Sequence, residues 1–189
     1  MAASNPTCRA ITDLFEQGII QGYFSGDCAK RGFIGPCFGP DDLVQRAQVA
    51  AMIVRAFAWQ NEPVAATPFD DLDGLAPGLA QAILILNEKG IFQGYDSDSA
   101  GPNDRLSVAQ AISIVARSFV IAGYWEEQPG TSVPYTGVPA IHAADIATAH
   151  HYLGTIPNAP VDADSWNAPT SRAWVAWLLA LALETATSR

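Results

Sequence analysis

A six-residue turn occurs twice in this chain: Gly18-Ile19-Ile20-Gln21-Gly22-Tyr23 returns as Gly90-Ile91-Phe92-Gln93-Gly94-Tyr95. An internal repeat constrains architecture more than composition does, because a recurring unit must pack against its own copies. Behind the first turn stand Phe38-Gly39-Pro40-Asp41-Asp42-Leu43 and an apolar segment from Val44 to Trp59. Behind the second stand Ala100-Gly101-Pro102-Asn103-Asp104-Arg105 and an apolar segment from Leu106 to Val120. A third, weaker copy follows: Tyr152-Leu153-Gly154-Thr155-Ile156, a loop with Pro157 and Pro160, then Ser171-Arg172-Ala173-Trp174 opening a last apolar segment. Three copies of helix, glycine turn, loop and helix cover nearly the whole 189-residue chain, at about residues 1–62, 63–128 and 129–189.

Each copy reads physically in the same way. The leading segment carries Leu79, Ile83, Leu84 and Leu86 at helical spacing and stops at Gly90. A glycine just past a helix end is the usual left-handed cap. Asp, Ser, Gly and Pro then hold the chain in a loop. The second helix is apolar nearly all round, as in Ala47, Val49, Ala50, Ala51, Met52, Ile53 and Val54, the pattern of a helix packed on several sides. One such unit cannot bury its faces alone; three can, by closing around a shared axis. The expected fold is all-α, one domain with the second helices forming a central bundle.

Apolar residues make up 49% of the chain and charged residues 15%, well under the roughly 25% charged of ordinary soluble domains. Ten basic residues against nineteen acidic ones give a net charge of −9. That balance argues against nucleic acid and against an anionic membrane surface, both of which need clustered Lys and Arg. No membrane insertion is expected either. The run from Ala173 to Leu183 falls short of a membrane helix, and Arg117 interrupts the segment between Leu106 and Trp125. The N-terminus, Met1 to Pro6, has neither the basic nor the apolar region of a signal peptide.

Phe69-Asp70-Asp71-Leu72, the leading helix, the turn from Gly90 to Tyr95, Gly101-Pro102-Asn103-Asp104 and the following helix together resemble one S-layer homology motif. The family pattern is a Phe-x-Asp-Val opening, a Gly-Ile-x-x-Gly-Tyr turn, a Pro-Asn loop and a Thr-Arg-Ala-Glu helix start. Copy one matches through Phe38 to Asp42 and through Gln45-Arg46-Ala47-Gln48. Copy three matches through Tyr135-Thr136-Gly137-Val138, Gly154 and Ser171-Arg172-Ala173-Trp174. The resemblance implies a pseudo-threefold, three-pronged spindle of three motifs, the third degenerate. It implies a secreted, non-catalytic module that anchors a protein at the cell envelope, without cofactor or metal. The implied ligand is an anionic, pyruvate-ketal-bearing wall polysaccharide held in grooves between repeats. On this resemblance Arg46 and Arg172 read charge, Gln48 stands beside Arg46, and Asp71 comes from the motif opening. Backbone groups near Gly22 and Gly94 and the ring faces of Tyr23 and Tyr95 support sugar.

The helix-start arginine has a physical logic. A cation there opposes the helix dipole by roughly 0.3–1 kcal/mol, so its retention points to an anion at the helix N-terminus. Copy one keeps Arg46 behind Gln45, where a capping Thr belongs. Copy two keeps a capping box, Ser107 with Gln110, but has Val108 in place of the Arg. Copy three keeps Ser171 and Arg172, with Trp174 where the family has Glu. At most two grooves retain a charged reader. By the same logic Arg46→Ala leaves stability level or raises it, and Val108→Arg rebuilds the signature.

A rival reading is a structural assembly unit of a surface layer or appendage, its sugar grooves degenerate. It would self-associate or pack on other surface proteins through Trp166, Trp174 and Trp177. The stretch Asp96-Ser97-Asp98-Ser99 resembles the start of a calcium loop, but Ala100 and Ser107 stand where an oxygen ligand and the Glu belong. His142, His150 and His151 gather near Asp145 without a zinc spacing and read as solvated or helix-end residues. Asp70, Asp71 and Asp73 read as a helix-capping group, through Asp71 or Asp73, rather than as catalytic carboxylates. An enzyme reading has no residue to stand on. Cys28 and Cys37 lie in an insertion of copy one and are candidates for a disulfide outside the cell, with Cys8 as competing partner or buried thiol. Aligning Gly18 with Gly90 puts the counterpart of Phe69 before residue 1, so the leading helix of copy one is expected to be short or the chain trimmed.

Overall fold

The computed structural model describes residues 5–23, 25–30, 32, 34, 37–64 and 68–187. The helices are α1 (Pro6–Glu16), α2 (Ser25–Ala29), α3 (Arg46–Ala56), α4 (Pro77–Glu88), α5 (Val108–Ile121), α6 (Ala143–Leu153), α7 (Ala163–Asn167) and α8 (Arg172–Thr187), with a 3₁₀ turn at Ala140–His142 before α6. Extended pairing among the described residues is confined to isolated bridges. The fold is mainly helical, as the repeat pattern requires.

The leading helices are α1, α4 and α6. Asn5 Oδ1 accepts the Thr7 N–H at 2.9 Å and Pro6 takes the first helical position, so α1 is started by a cap and a pre-set φ. It runs for 11 residues against 12 in α4, which corrects the expectation of a shortened first helix. All three end on a glycine in the left-handed region, Gly18, Gly90 and Gly154. At Gly90 the φ of 70° would strain any side chain. There the Ile91 N–H bonds back to the Leu86 carbonyl, as Ile19 does to Leu14, which satisfies the end of the helix.

The second helices are α3, α5 and α8. Ala47 and Val49 to Val54 are buried all round α3, the same burial runs through α5, and α8 buries the face with Val175, Ala176, Leu178, Leu179 and Ala182. Each second helix packs on the leading helix of the next copy: α3 on α4, α5 on α6, and α8 on α1. The last helix therefore meets the first. Just ahead of the second helices, three residues form a closed cycle of backbone hydrogen bonds. Val44 donates to Thr170 (3.0 Å), Thr170 to Leu106 (2.9 Å), and Leu106 to Val44 (3.0 Å). All three are buried, so the cycle pairs backbone groups that water cannot reach. One apolar cluster extends from Leu14 to Ala182 around it.

The insertion of copy one carries α2 and a Cys28–Cys37 disulfide with Cα atoms 5.8 Å apart. Cys8 sits exposed and free on α1. α4 begins at Ala76 and Pro77, so neither Asp71 nor Asp73 caps it, contrary to the sequence expectation. Both aspartates stand ahead of the helix start, and the Asp71 carboxylate serves a different loop.

Candidate functional site

Arg46 opens α3, but its side chain leaves copy one. Nε donates to the Ala100 carbonyl at 3.0 Å and Nη2 to the Gln93 carbonyl at 2.8 Å. The guanidinium carbon lies 4.4 Å from the Phe92 ring centroid and 4.7 Å from that of Tyr95. Arg172, at the start of α8, repeats the arrangement on copy one. Its Nε donates to the Phe38 carbonyl (3.0 Å) and its Nη2 to the Gln21 carbonyl (2.8 Å), over the rings of Phe38 and Tyr23. The two arginines are only 5% and 4% exposed. A planar fork with fixed donors suits two carbonyls, and the aromatic faces shield the charge. Burial pushes the Arg46 pKa down, and the nearby Tyr95, Asp104 and Asp71 oppose that shift.

This geometry corrects the view of Arg46 as a cation held against its helix dipole for a ligand alone. It staples α3 to the turn and loop of copy two. Asp71 supports the staple from behind. Its carboxylate accepts the N–H groups of Ala100 (2.9 Å) and Gly101 (2.8 Å) and the Ser99 hydroxyl (3.2 Å), which fixes the carbonyl that Arg46 needs. Burial opposes ionisation of Asp71, but those hydrogen bonds outweigh it and hold the carboxyl below its ordinary value. Asp71 thus stands behind the loop and lines neither of the grooves described next.

Two grooves are built from corresponding residues. In copy two, of about 250 Å³, the turn supplies Gln93, Gly94 and Tyr95, α5 supplies Gln110, Ile114 and Arg117, and Arg46 enters from the preceding copy. In copy one, of about 490 Å³, the turn supplies Gln21, Gly22 and Tyr23, α3 supplies Gln48, Met52 and Arg55, and Arg172 enters. The start of the next copy closes each groove, through Gly78 and Leu79 of α4 or through Ile141 and His142 of the 3₁₀ turn before α6. Tyr95 keeps 56% of its surface exposed. Gly22 and Gly94 are glycines for reasons of space. A Cβ on Gly94 would lie 2.6 Å from the Asp96 and Ser99 carbonyls, and one on Gly22 2.7 Å from the Cys37 carbonyl. Gln48 is partly engaged, its Oε1 accepting the Gln45 N–H at 3.2 Å. In copy two the Ser107–Gln110 capping box is complete.

Copy three is built differently. Counted from the glycine of the turn, Pro157 stands where Gln21 and Gln93 stand. Its carbonyl accepts from Trp174 Nε1 at 3.0 Å, so an indole of the same copy takes the acceptor that an arginine takes elsewhere. Val108 brings no guanidinium, and Leu181 replaces Arg55 and Arg117. Trp166 is fully buried and donates to the Thr136 carbonyl at 2.9 Å. It belongs to the core, which corrects its assignment to a protein contact.

Sequence reasoning missed Arg55 and Arg117, although each stands nine residues into its second helix at the same repeat position. Aligning α3 with α5 would have found them. Arg117 pairs with Asp145, Nη2 to Oδ2 at 2.8 Å and Nε to Oδ2 at 3.1 Å. Arg55 donates from Nη1 to the Ile19 carbonyl at 3.4 Å. Among the described residues no carboxylate forms an ion pair with it, and burial alone pushes its pKa down.

His142, His150 and His151 stand at the ends of α6, as expected, but the first two are bonded rather than solvated, His142 Nδ1 to Ser113 Oγ at 2.8 Å and His150 Nδ1 to the Tyr135 hydroxyl at 3.0 Å. Asp96 Oδ1 accepts from the Asp98 and Ser99 N–H groups, which makes that loop a closed turn. Among the described residues no group of His, Cys, Asp or Glu has a metal-holding arrangement.

No curated protein matches the chain. S-layer homology domains are, in general, non-catalytic modules that anchor proteins to cell-wall polysaccharide at the cell envelope. Residues 68–124, which hold α4, the second turn, α5 and the loop pinned by Asp71, match the family model of the S-layer homology domain.

Proposed function

We propose that the chain is one envelope-anchoring domain of three S-layer homology motifs around a pseudo-threefold axis. Copies one and two hold an anionic, pyruvate-ketal-bearing wall polysaccharide in their grooves, and copy three is degenerate. The family match in copy two supports the module type. The cycle through Val44, Thr170 and Leu106 and the pairing of α8 with α1 support the threefold arrangement and the boundaries near residues 62 and 128. One observation carries the reading: the same groove is built twice, from residues at the same repeat positions, around a buried arginine lent by the preceding copy.

The chemistry suits a sugar acid. Gln21 and Gln48, or Gln93 and Gln110, offer amides to hydroxyl groups. Tyr23 and Tyr95 offer ring faces to a pyranose, and the arginines offer charge-assisted donors to a carboxylate. A net charge of −9 makes recognition local: the cations are recessed, and the rest of the surface gives no long-range attraction. The module acts outside the cell and turns over no substrate.

The test is retention on protein-free wall material, before and after mild acid hydrolysis of its ketals. Retention that falls on hydrolysis is expected. Retention unchanged by hydrolysis would overturn the ligand class, and no retention would favour the assembly unit instead.

A further inference from the structure

The two grooves share a plan but not a charge state. In copy two, Arg117 is neutralised inside the protein by Asp145, to which two of its nitrogens point. Glu127 shares the cavity behind it with Asp145. The other guanidinium of each groove, Arg46 or Arg172, spends two donors on carbonyls, so the grooves differ at Arg117 and Arg55. In copy one, Arg55 has a single long hydrogen bond to a backbone carbonyl and no carboxylate partner among the described residues. The carboxylate at that groove's edge, Asp27, is engaged by Lys30 at 3.1 Å. The copy-one groove is also the roomier, about 490 Å³ against about 250 Å³.

We infer that the copy-one groove is the carboxylate site, with Arg55 as its specificity-determining cation, and that Asp145 silences the corresponding Arg117 in copy two. The inference rests on the wall-polysaccharide reading and deepens it. A half-buried guanidinium that faces a groove and has no carboxylate paired with it among the described residues gains most from an incoming carboxylate, because its desolvation is already met by the fold. Where an internal carboxylate holds the cation, a ligand carboxylate must displace it or sit beside a like charge. Copy two then contacts the uncharged part of the polymer. At the position of Asp145, counted back from the turn glycine, α4 carries the uncharged Gln81, which lines a cavity beside Arg55. The asymmetry is written in the leading helices.

The probe is a methyl hexoside carrying a 4,6-pyruvate ketal, titrated calorimetrically against the full chain, with the ketal-free hexoside in parallel. Wild type should bind about one ketal per chain, and the ketal-free sugar at least tenfold more weakly. Arg55→Gln should lose at least tenfold in affinity for the ketal. Asp145→Asn, which frees Arg117, should raise the stoichiometry towards two. Arginine Nε–Hε resonances of the unmutated protein give a readout independent of variant folding, and the ketal should shift Arg55 and leave Arg117 in place. A shift at Arg117 with Arg55 unmoved would overturn the inference while leaving wall binding intact. An Asp145→Asn protein that is folded and still binds one ketal would overturn the silencing role. No binding of wild type to ketal or wall material would instead overturn the anchoring reading itself.

Discussion

Removing the Arg46 side chain tests whether that residue is a staple or a ligand reader held in reserve. Arg46→Ala deletes two hydrogen bonds to carbonyls, at 3.0 and 2.8 Å, each worth roughly 1.5–3 kcal/mol when the donor is charged. It also deletes two ring contacts, each worth about 0.5–1 kcal/mol. Against this, alanine avoids burying a guanidinium, a cost of several kcal/mol, and relieves roughly 0.3–1 kcal/mol of dipole conflict at the start of α3. The balance is a loss of about 2–4 kcal/mol, large for one substitution. For a chain of this size that is a fall in Tm of roughly 5–15 °C. Arg46→Lys keeps the charge but cannot span both carbonyls, so it should fall between the two proteins. Urea unfolding with fluorescence detection, beside calorimetric melts, measures the difference. A folded Arg46→Ala protein within about 0.5 kcal/mol of wild type would show that the staple carries no weight, and the dipole argument drawn from sequence would stand after all.

Opening the Cys28–Cys37 bridge with Cys28→Ser should cost about 2.5–3 kcal/mol by loop entropy for a closed loop of this separation, and added reductant should bring the wild type to the same Tm. Asp71→Asn should lower stability at neutral pH, with a difference that narrows in acid. The folded-state pKa of Asp71 is depressed, so its contribution is complete above the unfolded value of about 3.9. It is lost as pH falls through the folded value, which melts at successive pH values below about 5 would follow. Val108→Arg alone should gain nothing, since Trp174 already occupies the Pro157 carbonyl. Combined with Trp174→Gln it should show a favourable coupling of about 0.5–3 kcal/mol in a double-mutant cycle.

The helices and their glycine stops were legible because they are local: Gly18, Gly90 and Gly154 end leading helices through φ values that only a glycine adopts cheaply. The capping box at Ser107 and Gln110 was legible for the same reason. The roles of Arg46 and Arg172 were not. Their partners, Gln93 and Ala100 in one case and Gln21 and Phe38 in the other, lie in a different copy, and no local pattern says that a helix-start cation will turn away from its own helix. Asp71 misled in the same direction. It reads as a cap in sequence, yet it lies ahead of the Ala76 N-cap and binds a loop some thirty positions onward. Arg55 was visible as a residue but not as a groove wall, because only the alignment of α3 with α5 puts it opposite Arg117.

The pairing of α8 with α1 has a consequence in time as well as in space. The other two pairings of a second helix with a leading helix join neighbours in the chain, so α3 can meet α4 and α5 can meet α6 soon after each is synthesised. The apolar face of α1, with Ala10 and Leu14, has its partner at the opposite end of the sequence. The first helix made must wait for the last. Closing that seam sets the ends of nearly the whole chain side by side, which carries the largest loop-closure entropy of any contact here. The hydrogen-bond cycle cannot close before Thr170 arrives. A chain released before α8 is complete therefore holds two good helix pairs and an unpaired first helix, open to the α8 of another molecule. Exchange of α1 between chains is the failure to look for when this protein is refolded at high concentration.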